Sequence, residues 1–418
     1  MLTPPDPTQL ESWELLLLRA THEMSLSKTQ YGLIEKRYGT LQSALSAATN
    51  PLLLDAHIFV QGSVGLRTTI KPADDATDDM ATIDADAIVW LPHAGGASGI
   101  DVLKALEERL GEATRVEEPV FPLRRGARII YADENPGFHI DVTPARCASG
   151  NTSTHGAGAL QVADRYSGWK PSSPRPYSNW LADTADLRIV LQGTRELADH
   201  KIYLKEASQE PLPDYEDYVD ANPLRAAIKL LKRHRDVWAI TNKKASVRPI
   251  SAVITTLTAQ AYRKIATSGR IHTMRPIEVI FEIVDQMPNF IKVGPHGYEV
   301  CNPEDRGENF AEKWNRPGEE GRSYRQAFGQ WHSAARQDVR LGLTDFGSEV
   351  AFREALTERF HVTDSMVREV LREVPNSWTL PGRKPGTSRN TIGLSALAGS
   401  HAAGSASQST IQPTGRLG

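Results

Sequence analysis

The amino-acid sequence predicts an α+β protein with a sheet-containing N-terminal domain and a C-terminal helical bundle. Segments with strand-like spacing are concentrated in residues 56–143, whereas helical spacing dominates from Pro223 onward. Between them, residues 203–222 hold two prolines and a cluster of acidic side chains, which is typical of a domain boundary. The predicted domains are residues 1–215, with an N-terminal helix, and residues 216–380, followed by a tail at residues 381–418.

The N-terminal domain begins with helical spacing over residues 8–48, which ends at Asn50-Pro51. Four strands are predicted after it, and the last two form a hairpin around a turn at residues 133–137. The predicted strands are residues 56–60, 83–91, 127–132 and 138–143, with a helix at 100–110 and mostly loop at 71–80 and 150–178. The predicted helices of the second domain are residues 223–239, 250–268, 277–286, 309–341 with a break at Pro317-Gly318, and 346–371.

Composition restricts the classes of protein that fit this chain. Its net charge of −3 argues against holding nucleic acid through bulk positive charge, although a local basic groove is compatible with it. The only cysteines, Cys147 and Cys301, are far apart, which argues against a disulfide scaffold or a cysteine zinc site. The N-terminus does not resemble a signal peptide, and no apolar run approaches the ~20 residues of a membrane span. We therefore expect a cytoplasmic protein with no membrane segment and no DNA-binding signature.

A Gly-Ser pair, Gly62-Ser63, follows the first predicted strand. A glycine lets the backbone approach a phosphate closely, neighbouring N–H groups can point at its oxygens, and the serine hydroxyl adds a donor. Gly-Ser pairs are also common in loops without any such role. Alone, this pair is a weak indication of a phosphate-binding loop.

Two aspartates, Asp84 and Asp86, lie in the second predicted strand. Because side chains alternate across a strand, both carboxylates point to the same face. Neighbouring carboxylates in an apolar strand repel each other and resist burial, and a divalent cation such as Mg²⁺ relieves both problems. A solvent-facing strand edge is the alternative interpretation.

A third aspartate, Asp141, lies in the fourth predicted strand, on the same face as His139 and Thr143. If this strand lies beside the Asp84 strand, Asp141 completes a cluster of three carboxylates. Such a cluster can hold two metal ions about 4 Å apart, which is the usual arrangement for in-line phosphoryl transfer. One ion would activate an attacking hydroxyl, and the other would neutralise the triphosphate and the leaving pyrophosphate.

The order of these three motifs resembles that of the polymerase-β-like nucleotidyltransferase superfamily. The sequence is similar to the CD-NTases, bacterial relatives of cyclic GMP–AMP synthase and oligoadenylate synthase that start signalling in the CBASS antiphage systems. The similarity extends over nearly all of residues 8–375, and an acidic insert at residues 74–79 departs from the pattern, so that the length of the phosphate loop stays open. Further similar segments are residues 175–181, residues 230–236, residues 249–257, and Asn302-Pro303-Glu304-Asp305 with Asn309, Phe310 and Trp314.

The resemblance implies a nucleotidyltransferase palm with a mixed, largely antiparallel sheet, fused to a helical domain like that of oligoadenylate synthase, with the active site in the cleft between them. It also implies a role for each candidate residue. The predicted metal ligands and catalytic residues are Asp84, Asp86 and Asp141, which would bind two Mg²⁺ ions, with Mn²⁺ as a substitute. The predicted substrate-binding residues are Gln61, Gly62, Ser63, Lys232 and Ser251. Of these groups, Asp141 is the candidate that helps deprotonate the attacking ribose hydroxyl, whereas Lys232 has a solvated basic helix face as its alternative interpretation.

The implied reaction joins nucleoside triphosphates, ATP or GTP or both, into a cyclic di- or oligonucleotide that a downstream effector recognises. A linear oligonucleotide synthase and an enzyme that nucleotidylates a protein or small molecule are the enzyme alternatives. A non-catalytic scaffold predicts the loss of one of the three aspartates, and all three are present.

The tail is rich in Gly, Ser, Ala and Thr, which cannot bury enough apolar area to offset the entropy of the chain, so it is predicted to be disordered. It ends in Gly418. In some CBASS operons the synthase is joined through its C-terminus to other molecules, so that Gly418 is a candidate for conjugation by an E1/E2-like partner protein. An ordinary disordered end has equal weight.

Overall fold

The structure is a computed structural model that describes residues 5–73, 75–113, 120–131, 136–148, 155–187, 189, 222–268 and 274–389. Its α-helices are α1 (Pro7–Met24), α2 (Lys28–Ser46), the single turn α3 (Gly62–Gly65), α4 (Gly99–Ala113), α5 (Pro174–Ala185), α6 (Pro223–Thr241), α7 (Ser251–Thr267), α8 (Pro276–Gln286), α9 (Gly318–Asp338), α10 (Glu349–Phe360) and α11 (Asp364–Glu373). Its strands are β1 (His57–Gln61), β2 (Thr82–Trp90), β3 (Phe121–Pro122), β4 (Ala127–Tyr131), β5 (Gly137–Cys147), β6 (Leu160–Asp164), β7 (Gly168–Ser172), β8 (Lys292–Gly294), β9 (Gly297–Glu299), β10 (Cys301–Asn302) and β11 (Asp305–Asn309).

Seven of the described strands form one mixed sheet. Its order is β1-β2-β5-β4-β3, and β6 pairs with the end of β5 and then with β7. The β2–β5 pair is parallel, and the other described pairs of this sheet are antiparallel. The predicted hairpin of β4 and β5 is confirmed, and so is the parallel neighbour that Asp141 needs beside the Asp84 strand.

One face of this sheet forms the core of the N-terminal half. The apolar residues of β2, namely Ile83, Ala85 and Ala87, are at most 4% exposed and alternate with the two aspartates of that strand. They pack with β4, β5, α2 and α4 in a single cluster. Since this face is filled, Asp84 and Asp86 project from the opposite face, which is open near these residues and covered near Ile88 and Trp90 by a second apolar cluster.

The predicted N-terminal helix is two helices. The break lies before Ser27, the N-cap of α2, whose side chain accepts a hydrogen bond from Gln30 N while Ser27 N donates one to the side-chain oxygen of Gln30. The first of the two, α1, packs in the core of the helical half: Trp13 is fully buried there and donates from Nε1 to Val339 O at 2.9 Å. This differs from the prediction that places the N-terminal helix with the sheet.

Residues 150–178 were predicted to be mostly loop, and this prediction is wrong. The segment contains β6, β7 and the start of α5. Gly168 adopts a φ of +77° at the β6–β7 turn, where glycine is favoured, and Pro174 occupies the first turn of α5, where a proline is tolerated. The segment is rich in residues typical of turns, but β6 is stabilised by pairing with β5 and β7 by pairing with β6.

The helical half contains α6 to α11 and two small hairpins, β8–β9 and β10–β11. The helix predicted from residue 309 begins at Gly318, because β11 ends at Asn309, a short 3-10 helix occupies Glu312–Asn315, and Pro317 is the N-cap of α9. The helix predicted over residues 346–371 is also two helices. His361 ends α10 in the left-handed conformation, with a φ of +47°, and Thr363 caps α11.

The predicted boundary at residues 203–222 lies outside the described residues except for Asn222, so the division into domains stays a prediction. The packed structure continues past the predicted start of the tail: Gln9 Nε2 donates to Arg383 O at 2.7 Å, and Gly382 N donates to Gly342 O at 2.7 Å. Residues 390–418, with Gly418, lie outside the described residues.

Candidate active site

Three aspartates meet on the open face of the sheet because of strand register. In the parallel β2–β5 pair, Asp84 is opposite His139, and Asp86 is opposite Asp141. The alternation that buries the apolar residues of these strands places the four polar side chains on the other face. The three aspartates predicted from the sequence are therefore brought together.

Asp84 opens on the cleft, with 54% of its side chain exposed, and is fixed from one side by a buried histidine. His139 Nε2 lies 2.8 Å from Asp84 Oδ1, and the other ring nitrogen lies 2.8 Å from Thr82 Oγ1. Protein atoms around the carboxylate displace water, and this desolvation disfavours the ionised form of Asp84. The contact with His139 and the nearby positive charges outweigh this effect, so that the pKa of Asp84 lies below its usual value.

Asp141 is held by Arg128, which lies directly opposite it on β4. Arg128 Nε donates to Oδ1 at 2.6 Å, and a terminal nitrogen donates to Oδ2 at 2.8 Å. Burial, together with the negative charge of Asp84, nevertheless raises the pKa of Asp141 above its usual value, against the lowering effect of Arg128.

Asp86 lies against the Gly-Ser turn. A Cβ atom added to Gly62 would stand 1.8 Å from Asp86 Oδ2, and Gly62 has a φ of +62°, so only glycine fits at this position. Burial raises the pKa of Asp86 well above its usual value, and the charges of Asp84 and Asp141 add to this effect. The charges of Lys232 and Arg128 favour the ionised form of Asp86, but burial and the two neighbouring carboxylates outweigh them.

The described residues contain one group of at least three candidate ligands for a metal ion: Asp84, His139 and Asp141, whose ligand atoms lie within 4.8 Å of one another. Asp86 does not join this group. The arrangement fits a divalent cation that prefers oxygen ligands, because added positive charge would offset the repulsion that raises the pKa of Asp86. The identity of such an ion does not follow from the geometry.

The Gly-Ser turn is tied to the helical half by a lysine. Ser63 accepts a hydrogen bond at its carbonyl oxygen from Thr68 N at 2.8 Å and at its hydroxyl from Thr69 Oγ1 at 3.0 Å. Lys232, on α6, donates to Thr68 O at 2.9 Å. The side chain of Lys232 is therefore directed into the protein and not along a solvated helix face.

A cleft of about 630 Å³ separates the open face of the sheet from the helical half. Four of the predicted site residues line it together: Ser63, Asp84, Lys232 and Ser251. Other lining residues include Arg235, Arg248, Lys313 and Tyr324.

The helical wall of the cleft is positively charged. Burial and the charge of Arg235 lower the pKa of Lys232 to about 8, although Asp236 and the aspartates of the sheet counteract this. Arg235 donates to Pro249 O at 2.8 Å and to Ser251 Oγ at 3.3 Å, which fixes the first residue of α7 at the cleft. The two predicted phosphate-contacting residues, Lys232 and Ser251, thus share this wall.

Sequence reasoning missed several residues of the site. His139 is on the same strand face as Asp141, and that alternation was a usable signal. Arg128 is in a predicted strand, but its place opposite Asp141 depends on the register of β4 against β5, which cannot be read from the sequence. Arg248 and Lys313 reach the cleft from separate segments, and neither belongs to a sequence motif that would have pointed to the site.

Comparisons with known proteins agree with this geometry. The family model for the Second Messenger Oligonucleotide or Dinucleotide Synthetase domain matches residues 17–184. A c-di-GMP synthase of Roseivirga ehrenbergii is 25% identical over 324 residues, which cover 75% of this chain and 75% of that protein.

The fold is similar to that of a solved CD-NTase structure. The Bradyrhizobium diazoefficiens CD-NTase CdnG in complex with GTP superposes with a TM-score of 0.57 at 18% identity, covering 86% of this chain and 98% of that chain. Vibrio cholerae DncV cyclic AMP-GMP synthase in complex with a linear intermediate superposes with a TM-score of 0.49 at 14% identity, covering 86% of this chain and 88% of that chain. The CdnG match confirms the predicted α+β nucleotidyltransferase fold with a mixed sheet.

Among the described residues, no helix combines the length and the apolar character needed to cross a membrane.

Proposed function

We propose that the chain is a nucleotidyltransferase of the CD-NTase type, which joins nucleoside triphosphates into a cyclic di- or oligonucleotide second messenger. In each step a ribose hydroxyl attacks the α-phosphorus of a triphosphate, a new phosphodiester bond forms, and pyrophosphate leaves. The last step closes the ring. The observation that carries the proposal is the β2–β5 register, which puts Asp84, Asp86 and Asp141 on one face of the sheet, where Asp84 lines the same cleft as Lys232.

The three carboxylates fit a centre of two Mg²⁺ ions, with Mn²⁺ as a substitute. Carboxylate oxygens are the ligands that such ions prefer. The crowding that raises the pKa of Asp86 supports this assignment, because bound cations would relieve it. When bound, the ions supply activation of the attacking hydroxyl and neutralise charge on the phosphates.

The side chains around this centre orient the substrate. Gln61 ends β1 and Gly62 begins the turn α3, which places Ser63 at the cleft, where its hydroxyl and backbone can contact the donor triphosphate. Lys232 and Ser251 face it from the helical wall, and a lysine suits phosphate as a point charge.

Asp141 is proposed to help remove the proton of the attacking hydroxyl. Burial raises the pKa of Asp141, which brings its proton affinity closer to that of a useful general base. Arg128 uses one acceptor position on each carboxylate oxygen, and each oxygen has a second.

The substrates proposed first are GTP and ATP. The relative from Roseivirga ehrenbergii is named a c-di-GMP synthase, and the structure of CdnG is a complex with GTP. By the same resemblance we propose a downstream effector that recognises the cyclic product, a cytoplasmic location and a role in antiphage defence of the CBASS type. Conjugation through Gly418 by an E1/E2-like partner stays a prediction.

The test is product analysis with matched carboxylate variants. The purified protein is incubated with the four NTPs, singly and together, with Mg²⁺ or Mn²⁺, and the products are treated with phosphatase and resolved by mass spectrometry. The inactive variant is Asp84→Asn/Asp86→Asn. The control is Asp55→Asn, which removes a carboxylate that is 82% exposed and outside the cleft.

A phosphatase-resistant product that is made by wild type and Asp55→Asn, and not by the double variant, is the expected result. A product that phosphatase shortens would show that the product is linear and not cyclic. Label retained on a protein or a small molecule would show that the enzyme nucleotidylates that molecule and does not join nucleotides. Equal product from the double variant and wild type would refute the proposed site.

A further inference from the structure

Arg128 makes a planar, two-point contact with one carboxylate of the active site. It lies opposite Asp141 in the antiparallel β4–β5 pair. Its Nε and one terminal nitrogen donate to the two oxygens of Asp141 at 2.6 and 2.8 Å. About a quarter of the arginine side chain and less than a fifth of the aspartate side chain are exposed, at 25% and 18%.

This geometry restricts Asp141 more than an ordinary surface ion pair would. A guanidinium is a rigid fork that matches a carboxylate at two points, so it fixes both the rotation of the carboxylate plane and its distance from the strand. A lysine at this position would supply similar charge through a single point and would leave the plane free to rotate.

The contact leaves Asp141 able to bind a cation. Each ionised carboxylate oxygen can accept about two hydrogen bonds or ligands, and Arg128 takes one on each. The ligand atoms of Asp84, His139 and Asp141 lie within 4.8 Å of one another while this contact is in place. The arginine thus occupies one side of the carboxylate, and the candidate ligand group is already assembled beside it.

We propose that Arg128 is a positioning residue of the metal centre, which holds the Asp141 carboxylate in the orientation that binds the cation. The inference rests on the proposed function in one respect, namely that this cluster binds a divalent cation. Arg128 acts through Asp141 and touches neither the cation nor the nucleotide. Groups that hold a metal-binding carboxylate in place typically change metal affinity about 10- to 100-fold when they are removed.

The opposite role makes an opposite prediction. If Arg128 served only as a counter-charge that competes with the cation for Asp141, its removal would tighten cation binding, because a repelling positive charge would be gone. If it served only the stability of the sheet, its removal would lower the thermal stability without changing the affinity of the folded protein for a cation.

The experiment measures Mn²⁺ binding directly, in the full chain without nucleotide, by following the electron paramagnetic resonance signal of free Mn²⁺. The variants are Arg128→Met, which has no charge, and Arg128→Lys, which has the charge without the fork. The matched control is Arg336→Met, which removes an arginine that donates to Asp285 at 2.6 Å on the helical half, away from the cleft. Thermal unfolding of each variant checks that it is folded.

The expected result is Mn²⁺ binding about 10- to 100-fold weaker in Arg128→Met, a loss in Arg128→Lys that is smaller but still several-fold, and no change in Arg336→Met. High Mn²⁺ should also restore the maximal rate of nucleotide joining in Arg128→Met. Wild-type or tighter Mn²⁺ binding by both Arg128 variants would overturn the inference. If Arg128→Met does not fold, Arg128→Lys decides alone.

The two proposals fail in different ways. Weakened Mn²⁺ binding in the variants of a protein that makes no nucleotide product would support the role of Arg128 and refute the proposed function. Unchanged Mn²⁺ binding in variants of an active synthase would refute the role of Arg128 and leave the proposed function intact. A wild-type protein that binds no Mn²⁺ would refute the role of Arg128.

Discussion

The two walls of the cleft have opposite charge and are built in different ways. The carboxylate wall comes from adjacent strands of one sheet and consists of Asp84, Asp86 and Asp141. The cationic wall comes from helical segments far apart in the sequence and consists of Lys232, Arg235, Arg248 and Lys313. The register of the strands determines where the residues of the carboxylate wall lie, whereas the positions of the residues of the cationic wall depend on how separate elements pack.

Each wall is electrostatically unfavourable by itself. Burial and the two neighbouring carboxylates raise the pKa of Asp86, and burial with the charge of Arg235 lowers the pKa of Lys232 to about 8. A triphosphate with bound cations carries the charges that both walls lack: positive charge for the carboxylates and negative charge for the cations. This comparison suggests that the cleft is shaped for a metal–triphosphate, and the predictions below test each wall in turn.

Removing one carboxylate should have the largest effect on activity. Asp86→Asn keeps the shape of the side chain and is expected to lower the rate of pyrophosphate release more than about 10³-fold, by weakening the metal centre. A rate within tenfold of wild type would show that Asp86 is not required for the metal centre.

The same substitution should not destabilise the metal-free protein. The pKa of Asp86 is raised in the folded state, so ionised Asp86 opposes folding at high pH, and this penalty declines as the pH falls from the raised pKa to the ordinary value, below which it is absent. Asp86→Asn should therefore be more stable than wild type at neutral pH, and the gain should vanish in acid. Thermal unfolding with a chelator, from pH 4 to 8, measures this, and a loss of stability at neutral pH would contradict it.

A substitution where the Gly-Ser turn contacts Asp86 of the carboxylate wall should have the next largest effect on activity. Gly62→Ala places a methyl group against Asp86 and forces a non-glycine residue into the left-handed region, which costs about 1–2 kcal/mol of stability. We expect the rate to fall roughly 100-fold because Asp86 is displaced. The control is Gly39→Ala, where no atom lies within 4 Å of the added methyl group, so that stability should be kept or raised. Equal activity of the two variants would contradict the account.

The strand wall was predictable from the sequence, and the helical wall was only partly so. Because side chains alternate along β2, the positions of Asp84 and Asp86 predict a shared face without any knowledge of tertiary structure. The family resemblance added Lys232 and Ser251. Nothing in the sequence predicted Arg128, because its place opposite Asp141 follows from the register of a hairpin.

Local composition also misled the fold prediction where tertiary pairing decides the structure. Residues 150–178 were predicted to be mostly loop because the segment is rich in glycine, serine and proline, yet β6 is a strand because β5 supplies its partner. Residues 8–48 were predicted to be helical without a break, since helical spacing continues across the capping box at Ser27. The first prediction misses two strands and the second misses a helix boundary, and neither changes which face of the sheet carries the aspartates.

The cationic wall is tested with Lys232. Lys232→Met should raise the KM for the nucleotide roughly 10- to 100-fold, since a hydrogen bond to a charged group contributes about 1.5–3 kcal/mol. Lys244→Met removes an exposed lysine near the cleft and should leave KM unchanged.

The pH dependence of this wall has a definite sign. Because the pKa of Lys232 is about 8, the positive charge is lost as the pH rises through this value, and kcat/KM of the free enzyme should fall. The fall should be absent in Lys232→Met, whose kcat/KM is low at every pH. A wild-type profile that stays level to pH 9 would contradict the assignment.

Ser251 should give the smallest effect. Ser251→Ala removes one neutral hydroxyl at the start of α7, so we expect a change in kcat/KM of only a few-fold, for about 1 kcal/mol. Steady-state kinetics with the preferred NTP measure it. A loss as large as that of Asp86→Asn would mean that the cationic wall contributes directly to chemistry.

The most direct test of the two-wall account is a crystal structure of the protein with Mn²⁺ and a GTP analogue that cannot be cleaved at the α-phosphate. The account predicts anomalous peaks for two Mn²⁺ ions bound by Asp84, Asp86 and Asp141, with the β- and γ-phosphates directed to Lys232. Peaks elsewhere, or a triphosphate that lies away from Lys232, would contradict it.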